Sequence, residues 1–183
     1  MIVKDIPNIL TVLRILLIPA LIVSFYIEDA AVHYFAASIF TFASITDYFD
    51  GVLARVLRAQ SSFGRVLDPI ADKLLVASTL MMLVHFNRVP IIPTVAILCR
   101  EILVSGLREY LADIKVNLPV SSLGKVKTAV QMIAIILLLL GENGTGVAYT
   151  DVIGEALIWA AAMLTLASGY IYCKEAFKYL NRA

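Results

Sequence analysis

Asp47-Tyr-Phe-Asp50-Gly51-Val-Leu-Ala54-Arg55, followed after eight residues by Gly64-Arg65-Val-Leu-Asp68-Pro-Ile-Ala-Asp72, places four aspartates between two long apolar runs. Carboxylates are costly in a membrane helix, so a cluster of them implies a compensating partner. Asp47 and Asp50 are spaced i, i+3, and Asp68 and Asp72 i, i+4, so each pair shares a helix face. Two such faces brought together form an oxygen-rich pocket suited to hard divalent cations. A pair of cations in such a pocket points to phosphoryl chemistry.

The rest of the chain agrees with a membrane setting. Of 183 residues, 61% are hydrophobic and 16% charged, and mean hydropathy is +0.89. A soluble domain is about 45–50% apolar and about 25% charged. The expected architecture is all-α: one domain over residues 1–183, an integral membrane bundle of six transmembrane helices. The spans fall at roughly 8–27, 33–55, 66–87, 90–112, 126–141 and 152–173, the last two being the most apolar. The N-terminal run lacks a cleavable signal pattern and is expected to stay as a span. Net charge is +1, which gives no case for a nucleic-acid partner. Cys99 and Cys173 both lie in expected helices, where buried free thiols are the expectation rather than a disulfide.

Basic residues orient the bundle. The breaks after helices one, three and five carry one cation, Arg88. The other breaks and the two ends carry Lys4, Arg58, Arg65, Lys115, Lys125, Lys174, Lys178 and Arg182. Both termini and all four aspartates are therefore expected at the cytoplasmic face.

The pattern Asp47-x2-Asp50-Gly51-x2-Ala54-Arg55-x8-Gly64-x3-Asp68-x3-Asp72 resembles, without a departure, that of the CDP-alcohol phosphatidyltransferases. The resemblance implies a six-helix membrane enzyme that often dimerises. It implies that Asp47, Asp50, Asp68 and Asp72 hold two divalent cations, Mg²⁺ or Mn²⁺, with Asp72 also the catalytic base. It further implies that Gly51, Ala54 and Gly64 line the nucleotide pocket. Taken singly, small residues in a membrane helix serve equally as packing contacts. Arg55 either supports the nucleotide or neutralises a motif aspartate. Near the N-terminus, Asn8, Thr11 and Arg14 share one helical face. Either they close the nucleotide site, as similar residues do in bacterial relatives, or Arg14 snorkels to the headgroups.

Two further segments bear on the acceptor. Arg100-Glu101-Ile-Leu-Val-Ser105-Gly106-Leu-Arg108-Glu109 lies in the fourth helix, and Gly124-Lys125-Val-Lys127-Thr128-Ala-Val-Gln131 opens the fifth. Arg100, Arg108, Lys125 and Lys127 make a candidate pocket for a phosphate. The competing reading pairs Arg100 with Glu101 and leaves the lysines to lipid headgroups. Both segments resemble the phosphatidylglycerophosphate synthases among the family. That implies phosphatidyl transfer from CDP-diacylglycerol to glycerol 3-phosphate, with release of CMP, at a bacterial inner membrane. The alternatives are the same transfer to inositol phosphate, serine, choline or phosphatidylglycerol, or a small metal-ion transporter. Against the transporter, no acid continues a path through the outer halves of helices two and three.

Overall fold

Each apolar run folds as one helix, and the computed structural model contains six among its described residues: α1 (Ile2–Ser24), α2 (Ala30–Leu57), α3 (Ser62–His85), α4 (Ile91–Asp113), α5 (Ser122–Thr145) and α6 (Thr150–Leu180). The structure describes the backbone of residues 2–27, 29–57, 62–116 and 122–180. Side chains are described for 9–27, 29, 31–46, 67–116 and 123–179. The helices overlap all six expected spans; α4 keeps the expected length, shifted by one residue, and the other five run longer, because a hydropathy window stops at the first charges while backbone hydrogen bonding does not. The early start of α3 brings Gly64 and Asp68 into its first turns, and Pro69 is accommodated just after them. At its start α2 is capped by Asp29, whose Oδ1 accepts the Ala31 N–H at 2.8 Å. In α5 the helical path breaks at Gly141, where φ is +61°, close to the expected end at 141. That conformation favours glycine. A Cβ there would also collide with the Arg88 guanidinium, which pairs with Asp151 at 3.6 Å.

Among the described residues two stretches, Leu123–Thr145 and Thr150–Tyr179, are long and apolar enough to cross a membrane. Ile9–Ser24 and Ala31–Thr46 are shorter apolar segments. The first two lie in the helices expected to be most apolar. Their pairing, α5 against α6, is the most extensive in the bundle. It is tight at Gly154, where a Cβ would stand 2.7 Å from Leu138 Cγ. Phe40, Leu75, Leu80, Leu83, Ile97, Ile135, Leu138 and Ile158 form the centre of the core. Large apolar side chains also cover the outside, among them Ile92, Ile102, Met163 and Tyr170. Such a surface suits a lipid surround. Cys99 and Cys173 are free, as expected, but Cys99 is exposed rather than buried. It lies on the outward side of α4 between exposed Val95 and Ile102.

Tertiary contacts sort the helix ends into two faces. Thr11 with Asp68, Lys73 with Ser105, and Lys127 with Glu101 join the first halves of α1, α3 and α5 to one another and to the stretch of α4 from its middle onward. At the other face Phe25 stacks on Phe86, His33 meets the Leu139 carbonyl, and Arg88 meets Asp151. The sequence positions of all four motif aspartates fall on the first face, at the end of α2 and the start of α3.

Candidate active site

Three side chains of α3 organise the site. Asp68 and Asp72 stand one turn apart, both partly buried, and Lys73 follows directly. The Thr11 hydroxyl donates to Asp68 Oδ1, which ties α1 to the motif. Thr11 and Arg14 are 0% and 1% exposed. Arg14 therefore does not snorkel; it is enclosed on the same α1 face as Thr11. The side chains of Asn8, Asp47, Asp50, Gly51, Ala54, Arg55 and Gly64 lie outside the described residues.

On the far side of α3, the Lys73 ammonium donates to Ser105 Oγ of α4. Arg100 Nη1 donates to Glu101 Oε1 at 3.2 Å, and its Nη2 donates to Ser168 Oγ of α6 at 3.1 Å. A glycine at 169 makes room for the arginine, since a Cβ there would lie 2.8 Å from Arg100 Cγ. Arg100 Nε is buried without a hydrogen-bond partner. Glu101 Oε1 also accepts from the Lys127 ammonium of α5. The Arg108 guanidinium sits over the Tyr172 ring, 5.8 Å from its centroid, a cation–π arrangement.

These groups line two cavities with a shared wall. The smaller, about 50 Å³, is bounded by Lys73, Arg100, Glu101, Val104, Ser105 and Arg108. The larger, about 270 Å³, has a polar end of Asp72, Lys73, Glu101, Lys127, Thr128 and Gln131 and apolar walls that include Val76, Met81, Leu98 and Ile102. Lys73 and Glu101 belong to both. Of the four candidate phosphate ligands, Arg100 and Arg108 thus meet in the small cavity and Lys127 enters the large one. Lys125 is exposed and lines neither.

Sequence reasoning passed over Lys73, Ser105 and Gln131 as site residues. Gln131 had a legible signal: Gly124, Lys127, Gln131, Ala134 and Leu138 form one buried stripe at helical spacing. Lys73 had none beyond its place beside Asp72.

Among the described residues, no group of three His, Cys, Asp or Glu side chains converges as a metal site. Asp68 and Asp72 are two of the four expected ligands. They offer carboxylate oxygens one turn apart on a single helix face, a donor set that fits Mg²⁺ or Mn²⁺ and not a soft metal.

Residues 4–167 match the profile of the CDP-alcohol phosphatidyltransferase family. A CDP-diacylglycerol–glycerol-3-phosphate 3-phosphatidyltransferase of Rickettsia felis is 49% identical over 176 residues, covering 96% of this chain and 97% of the relative. Proteins of the same name from Salmonella choleraesuis and Cereibacter sphaeroides are 40% and 38% identical, covering 94% and 97% of both partners respectively. With the profile spanning most of the chain and the relatives nearly all of it, this protein belongs to the CDP-alcohol phosphatidyltransferase family.

Proposed function

We propose that this protein transfers the phosphatidyl group of CDP-diacylglycerol to glycerol 3-phosphate, giving phosphatidylglycerophosphate and CMP. Full-length similarity to enzymes of that name supports the reaction. The observation that carries the acceptor is the small cavity between α3 and α4, bounded by Lys73, Arg100, Ser105 and Arg108 beside the cavity that holds Asp72. Three cations and a hydroxyl, against the single Glu101 carboxylate, leave around so small a space a surplus of positive charge that suits a phosphate. A neutral or zwitterionic acceptor has no use for them.

In the reaction, a terminal hydroxyl of the acceptor attacks the phosphorus of the phosphatidyl group. A new P–O bond forms, the P–O bond to CMP breaks, and the hydroxyl proton passes to Asp72. The alcohol is a weak nucleophile at neutral pH, so a carboxylate placed to take its proton is the group the step requires. Asp47, Asp50, Asp68 and Asp72 would hold two Mg²⁺ or Mn²⁺ ions, which supply charge neutralisation at the pyrophosphate. The Thr11 hydrogen bond fixes the Asp68 carboxylate on its helix. Lys73, Arg108 and Arg100 position the acceptor through its phosphate, and Ser105 orients the Lys73 ammonium. Asn8, Thr11, Arg14, Gly51, Ala54, Arg55 and Gly64 serve the nucleotide half.

The bundle lies in a bacterial inner membrane with both termini and the site at the cytoplasmic face, following the lysine and arginine bias. It works as a homodimer, a reading that comes from the family resemblance. Reporter tags at the termini and near 143–147 test the first point; a C-terminal tag accessible from outside intact cells would reverse it. Crosslinking in native membranes tests the second, and a strictly monomeric product would refute it. The reaction is tested with radiolabelled CDP-diacylglycerol and a panel of acceptors: glycerol 3-phosphate, glycerol, inositol phosphate, serine, choline and phosphatidylglycerol. Product with glycerol 3-phosphate alone is expected. Equal product from glycerol would remove the case for a phosphate pocket.

A further inference from the structure

Gln131 is 4% exposed, on the α5 face it shares with Lys127 one turn earlier. Its Oε1 is buried without a hydrogen-bond partner, and the side chain lines the larger cavity with Asp72, Glu101, Lys127 and Thr128. A buried carbonyl left unpaired costs about 1–3 kcal/mol. Such a group persists where something else completes it. The nearest cation on its own helix face, Lys127, is already engaged by Glu101. What is missing is an O–H or N–H donor, brought by a ligand.

The acceptor supplies one. On the reading above, its phosphate takes the small cavity and its terminal hydroxyl faces Asp72. Lys73 and Glu101 line both cavities, which places the acceptor's phosphate and its free end on either side of these two residues. One donor then remains unassigned: the hydroxyl on the middle carbon. We propose that Gln131 Oε1 accepts a hydrogen bond from that middle hydroxyl and is the residue that selects a polyol phosphate over a simple hydroxyalkyl phosphate. The middle carbon is also the only stereocentre of the acceptor. Fixing its hydroxyl fixes which hand of glycerol phosphate presents its free end to Asp72. This inference rests on glycerol 3-phosphate being the acceptor.

The test compares glycerol 3-phosphate, its mirror image and 3-hydroxypropyl phosphate, which lacks the middle hydroxyl, in wild-type protein and Gln131→Met. A site built to hold a hydroxyl rejects the analogue without it. Wild-type protein should prefer glycerol 3-phosphate to the deoxy analogue by roughly ten- to a hundredfold in kcat/KM. In Gln131→Met that preference should fall to within about threefold, through loss on glycerol 3-phosphate and not on the analogue, and discrimination between mirror images should fall with it. Gln131→Glu keeps an acceptor oxygen and should keep the preference, which guards against a methionine variant that folds poorly. An unchanged preference in Gln131→Met, or no preference in wild-type protein, overturns the inference. Failure of the acceptor reading looks different: wild-type protein would then make no product from glycerol 3-phosphate.

Discussion

Replacing Lys73 by methionine is the sharpest probe of the acceptor pocket. The side chain lines both cavities and donates to Ser105 in the free protein. Methionine keeps much of its length and volume but removes the charge and the donor. A hydrogen bond to a charged group contributes about 1.5–3 kcal/mol, equivalent to roughly ten- to a hundredfold in acceptor kcat/KM. Stability should change far less. Burying an ammonium is itself unfavourable, and the freed Ser105 hydroxyl can turn to the carbonyl one turn back on α4. Initial rates of CMP release in detergent, with each substrate varied at saturating levels of the other, give both constants. The acceptor KM should rise and the donor KM stay within about twofold, because the lost contact is to the acceptor in ground and transition states alike. Ser105→Ala, which removes only a neutral partner, should cost about 0.5–1.5 kcal/mol, a few-fold to tenfold. If the donor constant moves and the acceptor constant does not, the small cavity belongs to the nucleotide lipid and the phosphate assignment fails.

Asp72→Asn keeps an oxygen ligand but cannot accept a proton; turnover should fall at least about a hundredfold, with binding of the nucleotide lipid partly retained. Near-normal turnover would send the proton elsewhere. Excess chelator should abolish activity and Mg²⁺ or Mn²⁺ restore it, while Ca²⁺, with its looser coordination, should support little turnover; full activity in chelator would remove the metal-assisted mechanism. Gly154→Leu should lower the thermal midpoint in detergent, since even a Cβ would meet fully buried Leu138 at 2.7 Å. The cost expected of overpacking is about 1–3 kcal/mol. Pairing it with Leu138→Ala should recover part of the loss, and no recovery would place the strain elsewhere.

Much of the fold was legible because hydropathy reports burial in lipid and core alike. Where sequence reasoning fell short, the missing facts were tertiary. Arg100 looked like a phosphate ligand or a partner of its neighbour Glu101. It makes that contact, and it also reaches Ser168, sixty-eight residues away on α6. No spacing within α4 can show that. Lys73 drew no attention in the sequence, yet its ammonium donates to Ser105, thirty-two residues on. Lys125 and Lys127 look equivalent in the sequence, but the α5 stripe turns Lys127 inward and leaves Lys125 exposed. Asp68 and Asp72 share a face of α3 by helical spacing alone, a placement that needs no tertiary information because i, i+4 on a helix fixes a shared face.

The charges lining the two cavities bear on why the acceptor should carry a phosphate. Among the described residues, Lys73, Arg100, Arg108 and Lys127 face them, against Asp72 and Glu101, so cations outnumber carboxylates by two. In a partly enclosed, low-dielectric setting such an excess is unfavourable until an anion arrives. A phosphate monoester carries close to two negative charges at neutral pH, enough to balance it. A neutral acceptor such as glycerol would enter the same space and leave the excess standing. Discrimination then comes as much from relief of that repulsion as from the hydrogen bonds the phosphate accepts. Weakening one cation should therefore narrow the preference for the phosphorylated acceptor without making glycerol a good substrate, since the remaining cations still lack their counter-charge. A single substitution that raised glycerol to the wild-type rate would contradict that balance.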